Sequence, residues 1–320
     1  MLKFNNKNIL VTGGAGMIGK HLIKLLQKKD CNIFVVDLQQ PEDIDNIHYR
    51  SADLTNYDEC LTICDGMDIV FSLVGIKASP KIIKSNPADI ITPMLQFNTN
   101  VMRAAMKKNV EWFLYTSSIG VYPPAKLFLE DDVWNGFPSK LDWFGGWAKR
   151  MGELQANAYV IQNGKSNISI IRPANVYGEY DNFDPKSAMV IPSLIRKGYE
   201  CNSISVWGDG SQVRDFIYAG DVARAMLHLV ERKVVEPINI GSGSRTTIKE
   251  IANLVASEFG KDIVWNKKKT MGDDVRLMDT KRAISYGFKP EVNLKDGIIK
   301  TINWFRKNIK IIDKKYHAFS

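Results

Sequence analysis

The segment "KNILVTGGAGMIGKHLIKLL" (residues 7–26) decides the fold of this 320-residue chain. A short run rich in β-branched residues ends in glycines, and apolar residues at helical spacing follow immediately, which predicts a strand, a tight turn and a helix. Gly13, Gly16 and Gly19 lie in the turn, where the lack of side chains lets a pyrophosphate approach the first amides of the helix. The segment therefore predicts a dinucleotide-binding turn, and a tight turn without a ligand is the alternative.

An acidic residue follows the next predicted strand, "NIFVVD" (32–37). Asp37 lies 18 residues after Gly19, which places it to accept hydrogen bonds from the ribose hydroxyls of an adenosine. Its negative charge would repel a 2′-phosphate, so it predicts NAD rather than NADP as the cofactor. A second aspartate, Asp53 in "SADL" (51–54), is interpreted either as a neighbour of the adenine or as a residue that caps a loop.

Strand-like and helix-like segments alternate along the first half of the chain. The apolar runs "MDIVFSLVG" (67–75) and "EWFLYTSS" (111–118) are typical of strands buried on both faces, and "NTNVMRAAMKKN" (98–109) predicts a crossover helix between them. This alternation predicts an α/β fold, a Rossmann-type doubly wound parallel sheet with a smaller interwoven C-terminal lobe. We assign residues 1–174 to the nucleotide-binding domain, with 214–240 returning to it, and residues 175–213 and 241–320 to the lobe.

Later segments carry weaker signals. Five apolar residues that step by four and three positions predict an amphipathic helix: Trp147, Met151, Leu154, Ala158 and Ile161. A further strand, "ISIIRPANVYG" (168–178), leads into a region interpreted as irregular through "SISVWGDGSQVRDF" (203–216). The segment "TTIKEIANLVASEFG" (246–260) predicts another helix.

Composition excludes several classes of protein. The 43 lysines and arginines exceed the 35 acidic residues, which indicates either an anionic ligand or a lysine-rich surface. The sequence has no dense basic run interleaved with aromatic residues, so nucleic-acid binding is not predicted. The four cysteines and four histidines lack metal-ligand spacing, so no metal site is predicted. With no signal peptide and no apolar run long enough to span a membrane, we expect a cytoplasmic protein that does not bind membranes.

The chain resembles the extended short-chain dehydrogenases/reductases of the nucleotide-sugar epimerase/dehydratase type. The resemblance covers roughly residues 7–305 and rests on seven motifs in the family's order: "TGGAGMIG" (12–19), "DL" (53–54), "TSSIGVY" (116–122), "WAKRMGE" (147–153), "RPANVYG" (172–178), "GDGSQVRDFIYAGDVA" (208–223) and "NIGSG" (239–243). It implies bound NAD, a lobe that binds a nucleotide-diphosphate sugar, and a homodimer or higher homo-oligomer formed by helix packing. The segments "VFSLVGIKAS" (70–79) and "DNFDPKSAMVIPSLIRK" (181–197) resemble the GDP-fucose synthase branch, which favours a GDP-sugar.

Particular residues take roles from this resemblance. Ser118 matches the residue that hydrogen-bonds the reacting sugar hydroxyl, and Lys149 matches the lysine that holds the nicotinamide ribose. Asn175, Arg214 and Arg276 match positions that bind the sugar nucleotide, and a guanidinium fork suits the oxygens of a diphosphate. A structural ion pair is the alternative for each of the two arginines. The implied cofactor-binding residues are Gly13, Gly16, Met17, Ile18, Gly19, Asp37, Asp53, Leu54 and Lys149.

One position departs from the family in a way that affects the chemistry. Gly145 stands four residues before Lys149, where the family has the tyrosine that exchanges a proton with the sugar. Gly120 and Met189 stand where the GDP-fucose synthase branch has a cysteine and a histidine for epimerisation. Three explanations are open: another group, or a water held by Ser118 and Lys149, carries the proton; the glycine is an engineered replacement; or the protein binds without catalysing.

These observations together predict an enzyme that oxidises C4 of a nucleotide-diphosphate sugar with NAD, giving a 4-keto sugar. The resemblance suggests a context in the synthesis of sugars for bacterial surface polysaccharides. A nucleotide-sugar 4-epimerase, a GDP-4-keto-6-deoxy-sugar epimerase/reductase and a catalytically silent nucleotide-sugar-binding protein are the alternatives.

Overall fold

A computed structural model describes residues 1–41, 43–76, 85–164, 166–267 and 274–312. The strands are β1 (Lys7–Thr12), β2 (Cys31–Val36), β3 (His48–Arg50), β4 (Ile69–Ser72), β5 (Trp112–Thr116), β6 (Leu127–Phe128), β7 (Ile168–Pro173), β8 (Asn175–Tyr177), β9 (Ser203–Trp207), β10 (Val213–Arg214), β11 (Phe216–Tyr218), β12 (Ile238–Ile240), β13 (Thr246–Thr247), β14 (Asp262–Asn266) and β15 (Val275–Met278). The helices are α1 (Met17–Leu26), α2 (Tyr57–Ile63), α3 (Pro87–Lys107), α4 (Trp143–Asn163), α5 (Val190–Glu200), α6 (Ala219–Glu231), α7 (Ile248–Phe259), α8 (Lys281–Ser285) and α9 (Leu294–Ile312).

In the described ranges, the central sheet is parallel, with the strand order β12-β7-β5-β4-β1-β2-β3. Alternate residues of β1 enter different cores: Ile9 and Val11 pack on the side of α1 and α6, and Leu10 packs on the side of α3. The predicted doubly wound sheet is therefore confirmed. The strand order reverses between β1 and β4, and ligands of such sheets bind at the carboxyl ends of the strands beside this point.

Smaller sheets build the C-terminal lobe. One has the order β13-β10-β15-β6, and β8 pairs with β11 while β9 pairs with β14. A third hydrophobic core joins α5, α7 and α9. Because β6 comes from residues 127–128, the first half of the chain contributes a strand to the smaller sheet. The boundaries 1–174, 214–240, 175–213 and 241–320 stay a prediction.

The segment 203–216 was interpreted as irregular, and that interpretation is wrong. It contains β9 and β10, and β11 begins at its last residue. Strand β9 pairs with β14, whose first residue is Asp262, and β10 pairs with both β13 and β15. These partners are remote in sequence and the strands are short, so local patterning gives little sign of them.

Helix α4 is present as predicted, but its apolar stripe does not face the core. The side chains of Leu154 and Ile161 are 48% and 74% exposed, whereas Lys149, Arg150 and Glu153 are buried. Helix packing against the sheet has therefore selected the face with charged residues and with small residues such as Gly152. This arrangement brings Lys149 to the carboxyl end of the sheet.

Candidate active site

The glycine turn holds α1 close to the end of β1. Gly13 has a positive φ of +70°, and a β-carbon on it would lie 2.9 Å from the backbone nitrogen of Val74. A β-carbon on Gly19 would lie 2.5 Å from the Gly13 carbonyl oxygen and 2.6 Å from the Gly14 Cα. Helix α1 begins directly after Gly16, with Met17 and Ile18 in its first turn. Backbone amides of a helix N-terminus in a turn without side chains suit a pyrophosphate, so the residues present fit the predicted dinucleotide.

The two predicted acidic cofactor residues lie in different surroundings. Asp37 follows β2, and its Oδ2 accepts a hydrogen bond of 3.0 Å from the backbone N–H of Ala15 in the glycine turn. The structure thus brings Asp37 beside the turn. Asp53 is exposed, and its Oδ1 accepts hydrogen bonds from the backbone N–H and hydroxyl of Thr55, at 2.9 and 2.8 Å, which is the geometry of a loop cap. Leu54, next to it, is buried in the core on the α3 side of the sheet.

Lys149 approaches the same region from α4. Its Nζ lies 3.4 Å from both the backbone oxygen of Val74 and the Oδ1 of Asn98, and it sits over the ring of Tyr115. Burial lowers the pKa of Lys149 to about 8, and the charge of Glu153 opposes this shift only in part. Because Gly13 packs against the nitrogen of Val74 and Lys149 reaches its oxygen, the two predicted cofactor residues meet at one peptide segment after β4.

Asn98 is a residue that the sequence analysis missed. It lies on the buried face of α3 between Phe97 and Val101, and its Oδ1 accepts the hydrogen bond from Lys149. Its Nδ2 is buried and has no hydrogen-bond partner among the described residues. A polar residue on the buried side of a helix was the available signal, since buried amides in proteins nearly always have partners. Asn98 therefore joins the candidate site through its hydrogen bond with Lys149.

Ser118 lies at the carboxyl end of β5, at the start of a short 3₁₀ turn (Ile119–Val121). Its Oγ accepts a 3.1 Å hydrogen bond from the backbone N–H of Gly120. The neighbouring Ser117 is buried and donates to Glu153, which forms a 2.7 Å ion pair with Arg172. Ser117 thus contributes to a buried polar network, and Ser118 is the half-buried serine at the edge of the sheet.

Two of the predicted substrate residues, Arg214 and Arg276, lie on the four-stranded sheet β13-β10-β15-β6, and Asn175 lies on β8, which pairs with β11. Arg214 and Arg276 are register partners on β10 and β15, so the two arginines occupy neighbouring positions. Asn175 donates from Nδ2 to the backbone oxygen of Asp215, at 2.8 Å, directly after Arg214. Arg276 Nη2 lies 2.6 Å from Oδ2 of Asp142, a residue that the sequence analysis did not select. The structure therefore brings the three predicted residues together and adds an aspartate to them.

Similarity to known proteins identifies the family of the chain. Residues 9–241 match the model of the "NAD dependent epimerase/dehydratase family". The chain belongs to this family. It is 32% identical to a probable GDP-L-fucose synthase 1 of Oryza sativa subsp. japonica, over 94% of this chain and 92% of that protein. It is 30% identical to a GDP-L-fucose synthase of Sinorhizobium fredii, over 97% of this chain and 98% of that protein. A solved UDP-glucose 4-epimerase of Thermotoga maritima, with UDP-glucose, has a TM-score of 0.83 and 26% identity, over 94% of this chain and 99% of that one.

Within this family member, the two adjacent glycines of α4 have different surroundings. A β-carbon on Gly146 would lie 2.3 Å from the backbone oxygen of Gly120, so the helix touches the segment that carries Ser118. A β-carbon on Gly145 would meet no described atom within 4 Å. Gly146 is required by packing, and Gly145 leaves open space where the resemblance places a tyrosine.

The described residues form neither a metal-binding cluster nor a membrane-spanning helix. No three histidine, cysteine, aspartate or glutamate side chains within them lie close enough together to hold a metal ion. No helix in the same ranges has the length and apolar character needed to cross a bilayer. Burial raises the pKa of both Cys60 and Cys64 to about 12, so these thiols stay protonated at neutral pH.

Proposed function

We propose that this protein oxidises C4 of a nucleotide-diphosphate sugar to a ketone with NAD as the hydride acceptor. The observation that carries the proposal is the convergence on one segment after β4, where Gly13 packs on the nitrogen of Val74 and Lys149 reaches its oxygen. Ser118 lies at the end of β5, the neighbour of β4 in the sheet. A nicotinamide between the glycine turn and Lys149 would thus be next to the serine that orients the sugar hydroxyl.

The residues near the glycine turn support NAD as the cofactor. The first amides of α1 would hold the pyrophosphate, and Asp37 would accept hydrogen bonds from the adenosine ribose. The Asp37 carboxylate already lies 3.0 Å from the backbone nitrogen of Ala15, so a 2′-phosphate would come close to a negative charge. When bound, NAD supplies the hydride acceptor, and every other task falls to residues of the chain.

The arginines of the small sheet support a diphosphate as the anionic part of the substrate. Arg214 and Arg276 are neighbours across β10 and β15, which suits two phosphate groups that are themselves joined. Asn175 lies beside them and would add an amide donor. The similarity to GDP-L-fucose synthases supports a GDP-sugar in particular.

Lys149 contributes electrostatics to the proposed step. Its pKa of about 8 leaves it largely protonated at neutral pH, and burial makes its positive charge effective over a short distance. It would hold the nicotinamide ribose by hydrogen bonds and favour transfer of hydride from the sugar to the nicotinamide. Ser118 would hold the reacting hydroxyl.

The exposed Leu154 and Ile161 on α4 support the further proposal of a homodimer, because large exposed apolar side chains on a helix are typical of an interface.

The reverse reaction is the second candidate, because the similar proteins include GDP-L-fucose synthases. In that case the chain would reduce a 4-keto sugar with NADH, and the same residues would hold the ligands. Gly120 and Met189 provide no acid or base for epimerisation, so reduction alone would be expected. In either direction we propose a role in supplying sugars for bacterial surface polysaccharides.

Absorbance at 340 nm tests the direction and the cofactor. Purified protein is mixed with NAD and, in turn, with GDP- and UDP-hexoses, and then with NADH and a 4-keto-6-deoxy GDP-sugar. Growth of absorbance in the first set supports oxidation, decay in the second supports reduction, and no change in either contradicts both. Ser118→Ala is expected to lower turnover at least about tenfold while leaving NAD affinity unchanged, since it removes one hydrogen bond to the sugar.

A further inference from the structure

Asp142 occupies the N-cap position of α4 but does not cap the helix. An aspartate at this position ordinarily accepts a hydrogen bond from an amide in the first turn, which stabilises the helix. Here the Asp142 side chain makes no such bond, although its backbone oxygen accepts the Gly146 N–H at 2.6 Å. The carboxylate has therefore been directed elsewhere at the cost of a cap worth about 1 kcal/mol.

The side chain points toward the segment that carries Ser118. A β-carbon on Gly120 would lie 3.2 Å from Cβ and 3.3 Å from Cγ of Asp142, and 3.5 Å from the Oγ of Ser118. The carboxyl group and the serine hydroxyl thus both lie close to one point, the position of the side chain that Gly120 lacks. This places an acidic group next to the serine that orients the sugar hydroxyl.

Arg276 forms an ion pair with the carboxylate. Its Nη2 lies 2.6 Å from Asp142 Oδ2, and the two side chains are 12% and 30% exposed, respectively. Oδ2 itself is shielded from solvent. The ion pair limits the freedom of the aspartate and connects the proposed phosphate-binding arginine with the position next to Ser118.

The other polar residues nearby are less suited to accept a proton. Lys149 is protonated below its pKa of about 8, so at neutral pH it already carries the proton that it would have to accept. Gly145 has no side chain, and Ser118 is a neutral hydroxyl that can only pass a proton on. An aspartate carboxylate can accept a proton from a hydroxyl within hydrogen-bond reach.

We propose that Asp142 is the acid–base residue of this site and takes the proton of the sugar hydroxyl, directly or through Ser118. The inference rests on the proposed function. The O4–H bond breaks and its proton goes to the Asp142 carboxylate, the C4–H bond breaks with its electron pair leaving as hydride, and C4 becomes a ketone. The sugar loses two electrons, NAD gains them as NADH, and the carboxylate releases its proton to solvent. In the reductive direction the same carboxyl group donates the proton.

Asp142→Asn separates this role from a structural one, because the amide keeps the shape and cannot act as a base. We expect kcat to fall about 10²-fold or more with NAD affinity unchanged, and the melting temperature to fall only slightly through loss of the ion pair with Arg276. Asp142→Glu should recover part of the activity, since it restores a carboxylate. A kcat of Asp142→Asn within threefold of the wild type would overturn the proposal. Asp131→Asn is the matched control: it breaks an exposed aspartate–arginine pair, with Arg282 at 2.8 Å, outside the site, and should leave kcat unchanged.

Calorimetry with GDP alone provides a measurement that needs neither turnover nor cofactor. Asp142→Asn releases Arg276 and removes a negative charge near the diphosphate, so GDP should bind about two- to fivefold more tightly. Arg276→Gln, made as a single substitution, should bind GDP more weakly than the wild type does. If the wild type turns over none of the sugars in either direction, the proposed function fails, and the GDP measurement still tests the ion pair. If the wild type is active and Asp142→Asn is equally active, only the inference on Asp142 fails.

Discussion

The glycines at the two ends of the site differ in what surrounds the position of the missing β-carbon. At Gly13 and Gly19, backbone atoms lie within 3 Å of that position, and no larger residue fits without a backbone shift. At Gly145 no described atom lies within 4 Å apart from its chain neighbours and the backbone of its own helix. Close packing requires a glycine at the first two positions. At the third position packing does not require a glycine, because a side chain there would enter open space. One residue type thus has two physical meanings, and only the neighbours distinguish them.

Gly19→Ala should have the largest effect. The new β-carbon would press on the Gly13 oxygen and the Gly14 Cα at 2.5 and 2.6 Å, so α1 must move from the turn. We expect the free energy of unfolding to fall by about 3 kcal/mol and NAD binding to be lost, as measured by denaturant unfolding and by calorimetry with NAD. Gly16→Ala is the stability control, because its nearest atom would be the Gly13 oxygen at 3.1 Å. Equal losses of stability would show that the turn adapts and that the packing argument is wrong.

Gly146→Ala should have an intermediate effect. Its β-carbon would lie 2.3 Å from the Gly120 oxygen and 2.8 Å from the Pro138 Cβ, which forces the first turn of α4 away from the segment of Ser118. We expect a loss of about 1–3 kcal/mol in the free energy of unfolding. Turnover should fall more than NAD affinity does, because the change separates Ser118, for which we propose a role in orienting the sugar, from the helix and leaves the glycine turn intact. A variant as stable and as active as the wild type would contradict the close approach of these two segments.

Gly145→Ala should have the smallest effect, and of opposite sign. The β-carbon enters open space, and alanine is favoured over glycine in a helix by up to about 1 kcal/mol. The melting temperature should rise slightly and turnover should stay within about threefold of the wild type, since the inferred proton acceptor is Asp142. A clear drop in stability would mean that the position is not open, and it would remove the contrast with Gly146.

The arrangement of residues around the glycine turn was predictable from the sequence, and most of the arrangement around the proposed substrate residues was not. Continuous segments of the sequence contain the glycine turn, Asp37 and the alternating strands and helices. Residue patterns within such segments predict the local geometry directly. Arg214 and Arg276 were selected through a resemblance, but their adjacency depends on the pairing of β10 with β15, about sixty residues apart. Asn98 and Asp142 were missed because a polar residue inside a helix and an acid at a helix start are usually structural.

The sequence by itself determined the parallel sheet, the glycine turn at its centre and the lack of a tyrosine before Lys149, because strand burial and glycine spacing are local properties of the chain. Only the tertiary structure decided which face of α4 is buried, which of its two glycines is required, and where the Asp142 carboxylate lies. These outcomes depend on how closely α4 approaches the segment of Ser118 and on the four-stranded sheet that places Arg276 beside Asp142. Such distances between segments remote in sequence are set by packing of the whole chain.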